Sequence, residues 1–253
     1  MLSLEKQNRL REAYRQHRPE WRPATEHYAA LVRGQLTPTA RLLDLGCGRG
    51  GLIEQLVESE GEEIVARTIG LDPDRLSLAE HRLELAAANG FSHSLPFKDC
   101  TFDVVFCSWL LEHLERPALD LAEIGRVLKT NGRFVFITPN RRHPIAWLNR
   151  FIGRFSAVQD RLVERLYGRE AADTFPTWYR ANSEQQLADL IRKINGRSPF
   201  TLTVEELSFI PDPTYLAFHP LIFRFMCWFE TALPRTRQLH LVGVISVKKG
   251  GDG

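Results

Sequence analysis

The 253-residue chain has little that would mark a secreted, fibrous or membrane-spanning protein. Its four cysteines are Cys47, Cys100, Cys107 and Cys227, and no two form a C-x-x-C pair. No histidine cluster stands beside them at zinc spacing, so neither a disulfide framework nor a metal site is expected, and the thiols read as free in a reducing compartment. No run of about 18 uncharged apolar residues occurs. The nearest, Leu216–Leu233, is broken by His219, Arg224 and Glu230. Met1–Trp21 is charged throughout without an apolar core, so no secretory signal is expected and the cytoplasm is the expected location. An excess of one charge is also missing: 33 basic against 31 acidic residues give +2, which carries no nucleic-acid signal. What remains, 43% hydrophobic and 25% charged, is ordinary globular usage.

The charge that is present is unevenly spread. Residues 41–138 are net acidic and are flanked by net basic segments; in 139–182 every basic residue except histidine is an arginine. This reads either as ordinary surface variation or as an acidic cofactor half beneath a basic cover. Residues 4–35 have helical periodicity interrupted by Pro19 and Pro23, which predicts two helices. The short apolar run in ARLLDLGCGRGG predicts a strand ending in a glycine loop, followed by a helix over 50–59. EIVARTIGLD (63–72) predicts a second strand, and DRLSLAEHRLELAAANG (74–90) an amphipathic helix stopped by Asn89-Gly90. TFDVVFCSW predicts a strand, PALDLAEIGRVLKTNG (117–132) a helix and RFVFIT a further strand. SEQQLADLIRKING predicts a helix capped by Ser183, and FTLTVEELSFI and LHLVGVISVKK predict closing strands. Strands alternating with helices make an α/β domain with a mostly parallel sheet.

The glycine loop runs from Asp44 to Gly51. Gly46, Gly48 and Gly51 match G-x-G-x-x-G, with Asp72 about 20 residues beyond, as in a dinucleotide fingerprint. Asp44 argues against that reading. A carboxylate two residues before the first glycine would repel a pyrophosphate but would suit a ligand bearing an amino group. S-adenosylmethionine has an amino group, a sulfonium and no phosphate, and Asp72 is placed to accept from its ribose hydroxyls.

The runs LLDLGCGRGG, GLDPD, LPFKDCTFDVVFCSWLLEHLERP and EIGRVLKTNGRFVFITPN resemble the class I S-adenosylmethionine-dependent methyltransferases. They are closest to the type-11 branch that includes ubiquinone and menaquinone methyltransferases. The resemblance covers roughly 41–140 and implies a doubly wound, Rossmann-like seven-stranded sheet with an antiparallel last strand. It implies an N-terminal helical cap over 1–40 and a methyltransferase domain over 41–253 with lid inserts at about 139–182 and 211–238. It assigns Asp44, Gly46, Cys47 and Gly48 to the methionine part of the cofactor and Asp72 with Pro73 to the ribose. Ser92 and His93 are assigned to the adenine; Ser108, Trp109 and His113 line the site. In many relatives an Asp stands four residues before Leu95-Pro96-Phe97; here that position is Phe91, so adenine recognition falls to Ser92, His93 or backbone.

Methyl transfer from a sulfonium depends largely on proximity and orientation, and needs a base only where the acceptor loses a proton. His113 and His143 are the candidate bases, after the fourth and fifth strands; Glu112 and Asn140 stand beside them, and His219 is a weaker third. The first insert interleaves arginine with aromatic residues, a pattern shared by lid helices, nucleic-acid binders and membrane-surface helices. The second holds Tyr215, Phe218, Phe223, Phe225, Trp228 and Phe229, which predicts a lid over an apolar acceptor, a dimer interface or a membrane-interface helix. The sequence therefore points to methylation, at oxygen or carbon, of a small apolar or lipid-like acceptor, with peripheral membrane contact and no nucleic-acid partner. The rival readings are a non-catalytic cofactor-binding protein of the same fold and an NAD-dependent oxidoreductase.

Overall fold

The computed structural model describes residues 4–146, 176–214 and 220–250. Most of the first expected insert, and Tyr215, Phe218 and His219 of the second, lie outside the described residues. The chain opens with α1 (Leu4–His17) and α2 (Ala24–Arg33), divided at the Pro19–Pro23 stretch. Then come β1 (Leu42–Leu45), α3 (Leu52–Glu60), α4 (Glu63–Arg67), β2 (Thr68–Asp72), α5 (Arg75–Ala79), β3 (Ala86–Asn89) and β4 (Phe102–Ser108). They are followed by α6 (Pro117–Val127), β5 (Leu128–Pro139), α7 (Glu184–Asn195), β6 (Phe200–Ile210), α8 (Pro220–Ala232) and β7 (His240–Lys249).

The seven strands form one sheet in the order β3-β2-β1-β4-β5-β7-β6. β1 to β5 are mutually parallel, and β7 runs antiparallel to both β5 and β6. Period-2 alternation sorts the strand side chains to opposite faces. Val105, Cys107, Phe134 and Phe136 pack with Leu121, Ile124 and Val127 of α6 and Leu187, Ile191 and Ile194 of α7. Val104, Phe106, Val135 and Ile137 pack with Tyr28 and Val32 of α2, Ile53 and Leu56 of α3, and Ile64 of α4. α2 is thus one of the helices that cover the sheet. The Ser183 cap forms as expected, its side chain accepting from the Gln186 amide, an arrangement worth about 1 kcal/mol.

Three expected elements differ. The helix over 74–90 stops after Ala79, and Ala86–Asn89 instead pairs in register with β2, from Ile69↔Ala86 to Asp72↔Asn89. Its alanines favour helix locally, but the open edge of β2 offers a ladder of backbone hydrogen bonds, and tertiary pairing overrides propensity. The strand expected over 63–72 begins only at Thr68, whose hydroxyl donates to Ile64 O, so Glu63–Arg67 is helical. The helix over 117–132 ends at Val127, because Leu128 already pairs with Phe102 of β4. Asn131, at φ 63°, then turns inside β5 rather than after a helix.

Candidate functional site

Asp44, Asp72, Ser108 and Pro139 stand at the carboxyl ends of four neighbouring strands, the edge where open α/β sheets bind ligands. β7 begins at this edge, with His240 opposite both Pro139 and Ile210. The site is therefore a row of strand ends, about 4.8 Å apart.

The glycine loop leaves β1 through a left-handed turn. Gly46 (φ 77°) and Gly48 (φ 51°) have dihedrals that a side chain disfavours, and a Cβ on Gly48 would project into open space. Gly46 N donates to Leu71 O at 2.7 Å, and Gly48 N donates to Asp72 Oδ2 at 2.9 Å. The other oxygen of Asp72 accepts from Asp74 N at 2.8 Å. Two accepted bonds leave a carboxylate half of its roughly four lone-pair positions for a ligand. Pro73 carries the chain from Asp72 to Asp74, which caps α5 by accepting from Leu76 N and Ser77 N. Cys47 is buried, with Sγ against Gly70, and burial raises its thiol to about 12, ahead of Asp44 and Asp72. It packs beneath the loop.

Asp44 is 5% exposed, and no described residue donates a hydrogen bond to its carboxylate. Burial, and then the charge of Asp72, push its pKa up to about 7. Ionising a buried carboxylate without a partner is costly, and a cation or a multiple donor would offset that cost. This donor set fits an amino-bearing ligand: a backbone cradle open at Gly48, a second carboxylate at Asp72 and an unanswered negative charge at Asp44. It opposes a pyrophosphate.

At the adenine end, Phe91 is exposed and its ring stacks with His93 at 5.5 Å. The Ser92 hydroxyl donates to Asp120 Oδ1 at 2.5 Å, which commits its proton and leaves it only as an acceptor. At the methyl end, Ser108 closes β4 and Trp109 follows at φ 56°, unusual for a bulky residue and of the kind that collects at functional sites. Trp109 meets His240 edge-on, with ring centroids 5.2 Å apart.

The candidate bases separate. His143 is fully buried. Its Nδ1 accepts from Ile145 N at 3.1 Å, and its Nε2 lies 3.0 Å from Glu230 Oε1 of α8, without the angle of a hydrogen bond. Ile145 N and Glu230 thus face both ring nitrogens, and the residue is buried where α8 folds over the loop that bears it. His113 is half-buried, and its Nδ1 lies 2.9 Å from Pro176 O, to which it donates. Its neighbour Glu112 is 5% exposed and pushed up to about 7 by burial. Thr138 donates to Glu112 Oε2 at 2.8 Å, and Asn182 donates to Thr138 Oγ1 at 2.5 Å. Trp178 N and Tyr179 N both donate to Glu112 O, stitching 178–183 across the ends of β4 and β5. Only the pairing of Glu112 with His113 at a strand end hinted at this in the sequence; its burial was not legible there. A cavity of about 590 Å³ lies elsewhere, between α1, the end of β6 and α8, lined in part by Trp21, Arg22, Pro211 and Glu230.

Residues 43–136 match the family described as a methyltransferase domain. The chain is 34% identical over 118 residues to the ubiquinone biosynthesis O-methyltransferase of Aeromonas salmonicida, covering 45% of this chain and 48% of that one. It is 23% identical over 192 residues to the ubiquinone/menaquinone biosynthesis C-methyltransferase UbiE of Rhizobium etli, covering 71% and 68%. The matches to the O-methyltransferases span about half the length of those relatives. Among solved structures, the Haloferax volcanii putative methyltransferase bound to its Trm112 activator superposes with a TM-score of 0.56 at 19% identity, covering 90% of this chain and 91% of that chain. The [4+2]-cyclase SpnF superposes at 0.55 and 15% identity, covering 89% and 81%. The sheet order and the strand-end carboxylates define a Rossmann-like methyltransferase fold. Over residues 43–136 the chain carries a methyltransferase domain, and it is similar there to the class I S-adenosylmethionine-dependent methyltransferases of the branch related to the ubiquinone and menaquinone enzymes.

Proposed function

We propose that the protein transfers a methyl group from S-adenosylmethionine to a small apolar or amphipathic acceptor, at oxygen or carbon. The observation that carries this is Asp44, a buried carboxylate without a donor at the mouth of a glycine cradle. In this reading Asp44 receives the ligand's ammonium, the backbone of Gly46–Gly48 lies along the methionine part, and Asp72 accepts from the ribose hydroxyls. The Phe91 and His93 rings flank the adenine. When bound, S-adenosylmethionine supplies a methyl group already activated on sulfur, so the chain's own task is to orient the acceptor and exclude water.

The apolar character of the acceptor rests on α8. Its inner face packs Met226 and Phe229 against Ile145 and Leu239. Its outer face leaves Phe225 55% and Trp228 64% exposed, beside exposed Leu221 and Ile222. Contiguous exposed apolar side chains mark a binding surface, and they support a lipid-like acceptor taken from, or presented at, a membrane surface. Among the described residues no helix is long and apolar enough to cross a membrane.

Calorimetry with S-adenosylhomocysteine and with NAD tests the cofactor. Saturable NAD binding without a response to S-adenosylhomocysteine would overturn the reading. Incubation with methyl-labelled S-adenosylmethionine, followed by separate polar and lipid extraction, tests the acceptor; label confined to the polar extract would refute an apolar one.

A further inference from the structure

We propose that His240, oriented by Asp212, is the general base that takes the proton of a hydroxyl-bearing acceptor. This rests on the methyl-transfer reading and goes beyond it by assigning oxygen as the atom methylated and naming the group that prepares it.

The first support is position. β7 enters the sheet at the carboxyl edge, which puts its first residue, His240, in the same row of strand ends as Asp44 and Ser108. Asn140, after β5, fixes the chain just ahead of it: its amide donates to Leu239 O at 2.7 Å, and its side chain donates to Thr236 O at 3.1 Å and Gln238 O at 2.8 Å. The second support is chemistry. His240 Nε2 lies 3.5 Å from Asp212 Oδ2, and Asp212 is itself held by the amide and hydroxyl of Thr214. A carboxylate beside Nε2 favours the tautomer that carries the proton there and leaves the Nδ1 lone pair as the acceptor. That Nδ1 is buried and has no hydrogen-bond partner among the described residues. The distance to Asp212 is long for a hydrogen bond, as catalytic contacts often are before the substrate is bound. Beyond the ring, Asp212 also feels the charge of Arg11 of α1. The third support is the neighbour on the cofactor side. Trp109 stands edge-on against the His240 ring, and it follows the strand adjacent to β1. An aromatic acceptor lying along Trp109 would bring its hydroxyl toward the His240 ring. The ring nitrogens of His143 face Ile145 N and Glu230, and His113 Nδ1 faces Pro176 O.

The step balances. The acceptor O–H bond breaks and its proton passes to Nδ1, while the oxygen's electron pair forms the new bond to the methyl carbon. The methyl–sulfur bonding pair stays on sulfur, and S-adenosylhomocysteine leaves uncharged at sulfur. The imidazolium formed is stabilised by Asp212 and loses its proton to water afterwards.

The probes are catechol and 4-nitrocatechol, whose hydroxyl ionises without help. On the acid side of its own ionisation, and with S-adenosylhomocysteine present, 4-nitrocatechol should take up its ionised absorption band when bound to the wild type and not when bound to H240Q. H240Q should lose about 100-fold or more in the rate on catechol, the usual contribution of a general base, and less than about 10-fold on 4-nitrocatechol. D212N should move both readouts in the same direction, and it carries the comparison alone should H240Q not fold. Equal losses on the two phenols, or an ionised band that survives in H240Q, would overturn the assignment. So would a wild type that binds S-adenosylhomocysteine yet methylates neither phenol. A wild type that does not bind S-adenosylhomocysteine would instead fell the methyl-transfer reading, and this one with it.

Discussion

Replacing Asp44 by asparagine should make the protein more stable and weaken its hold on the cofactor. The side chain keeps its shape and loses a charge that burial, together with Asp72, disfavours. A carboxyl raised from 3.8 to about 7 corresponds to a ceiling of about 4 kcal/mol. The sign follows from proton counting. Between those two values the folded protein holds a proton that the unfolded chain has released, so stability falls as pH rises through this window and is level above it. Asp44→Asn should therefore gain about 1–4 kcal/mol at pH 8 and little near pH 4. In a chain of this size that is roughly 2–4 °C of Tm per kcal/mol. Glu112, also raised to about 7 by burial, imposes a second slope of the same sign, so the variant's stability should still decline with pH, but less steeply. Urea unfolding at both pH values, beside calorimetry with S-adenosylhomocysteine, reads both effects. The loss of a charged hydrogen-bonding partner should cost about 1.5–3 kcal/mol of affinity. In the wild type, affinity should rise with pH through about 7 as Asp44 ionises. A variant less stable than wild type at pH 8, or one that binds S-adenosylhomocysteine normally, would refute the argument.

Gly48→Val should abolish cofactor binding while costing the fold less, since the new side chain meets open space in the empty protein but a strained φ of 51°; wild-type affinity in calorimetry would place the loop away from the ligand. Asp72→Ala should weaken binding by about 1–3 kcal/mol, because it removes both the ribose acceptor and the anchor of Gly48 N; unchanged affinity in a folded variant would reduce Asp72 to a turn residue. Replacing Phe225 and Trp228 together by aspartate should release the protein from anionic liposomes in flotation with circular dichroism unchanged, as both side chains are exposed; a wild type that never floats would end the membrane part of the proposal.

What was legible in the sequence is what short-range chemistry encodes. A strand running into glycines at positive φ, Asp44 and Asp72 at neighbouring strand ends, the cap at Ser183 and the alternation of elements all depend on residues close in the chain. Tertiary structure decided the rest. Ala86–Asn89 is a strand because β2 has a free edge, which no property of four residues rich in alanine reveals. Glu112 is perturbed because β5 and the 178–183 segment close over it. His143 sits against Glu230, and His240 against Asp212, across long stretches of chain. Burial and the identity of a polar group's partner are properties of the packed whole, and they determine which histidine keeps a lone pair for chemistry.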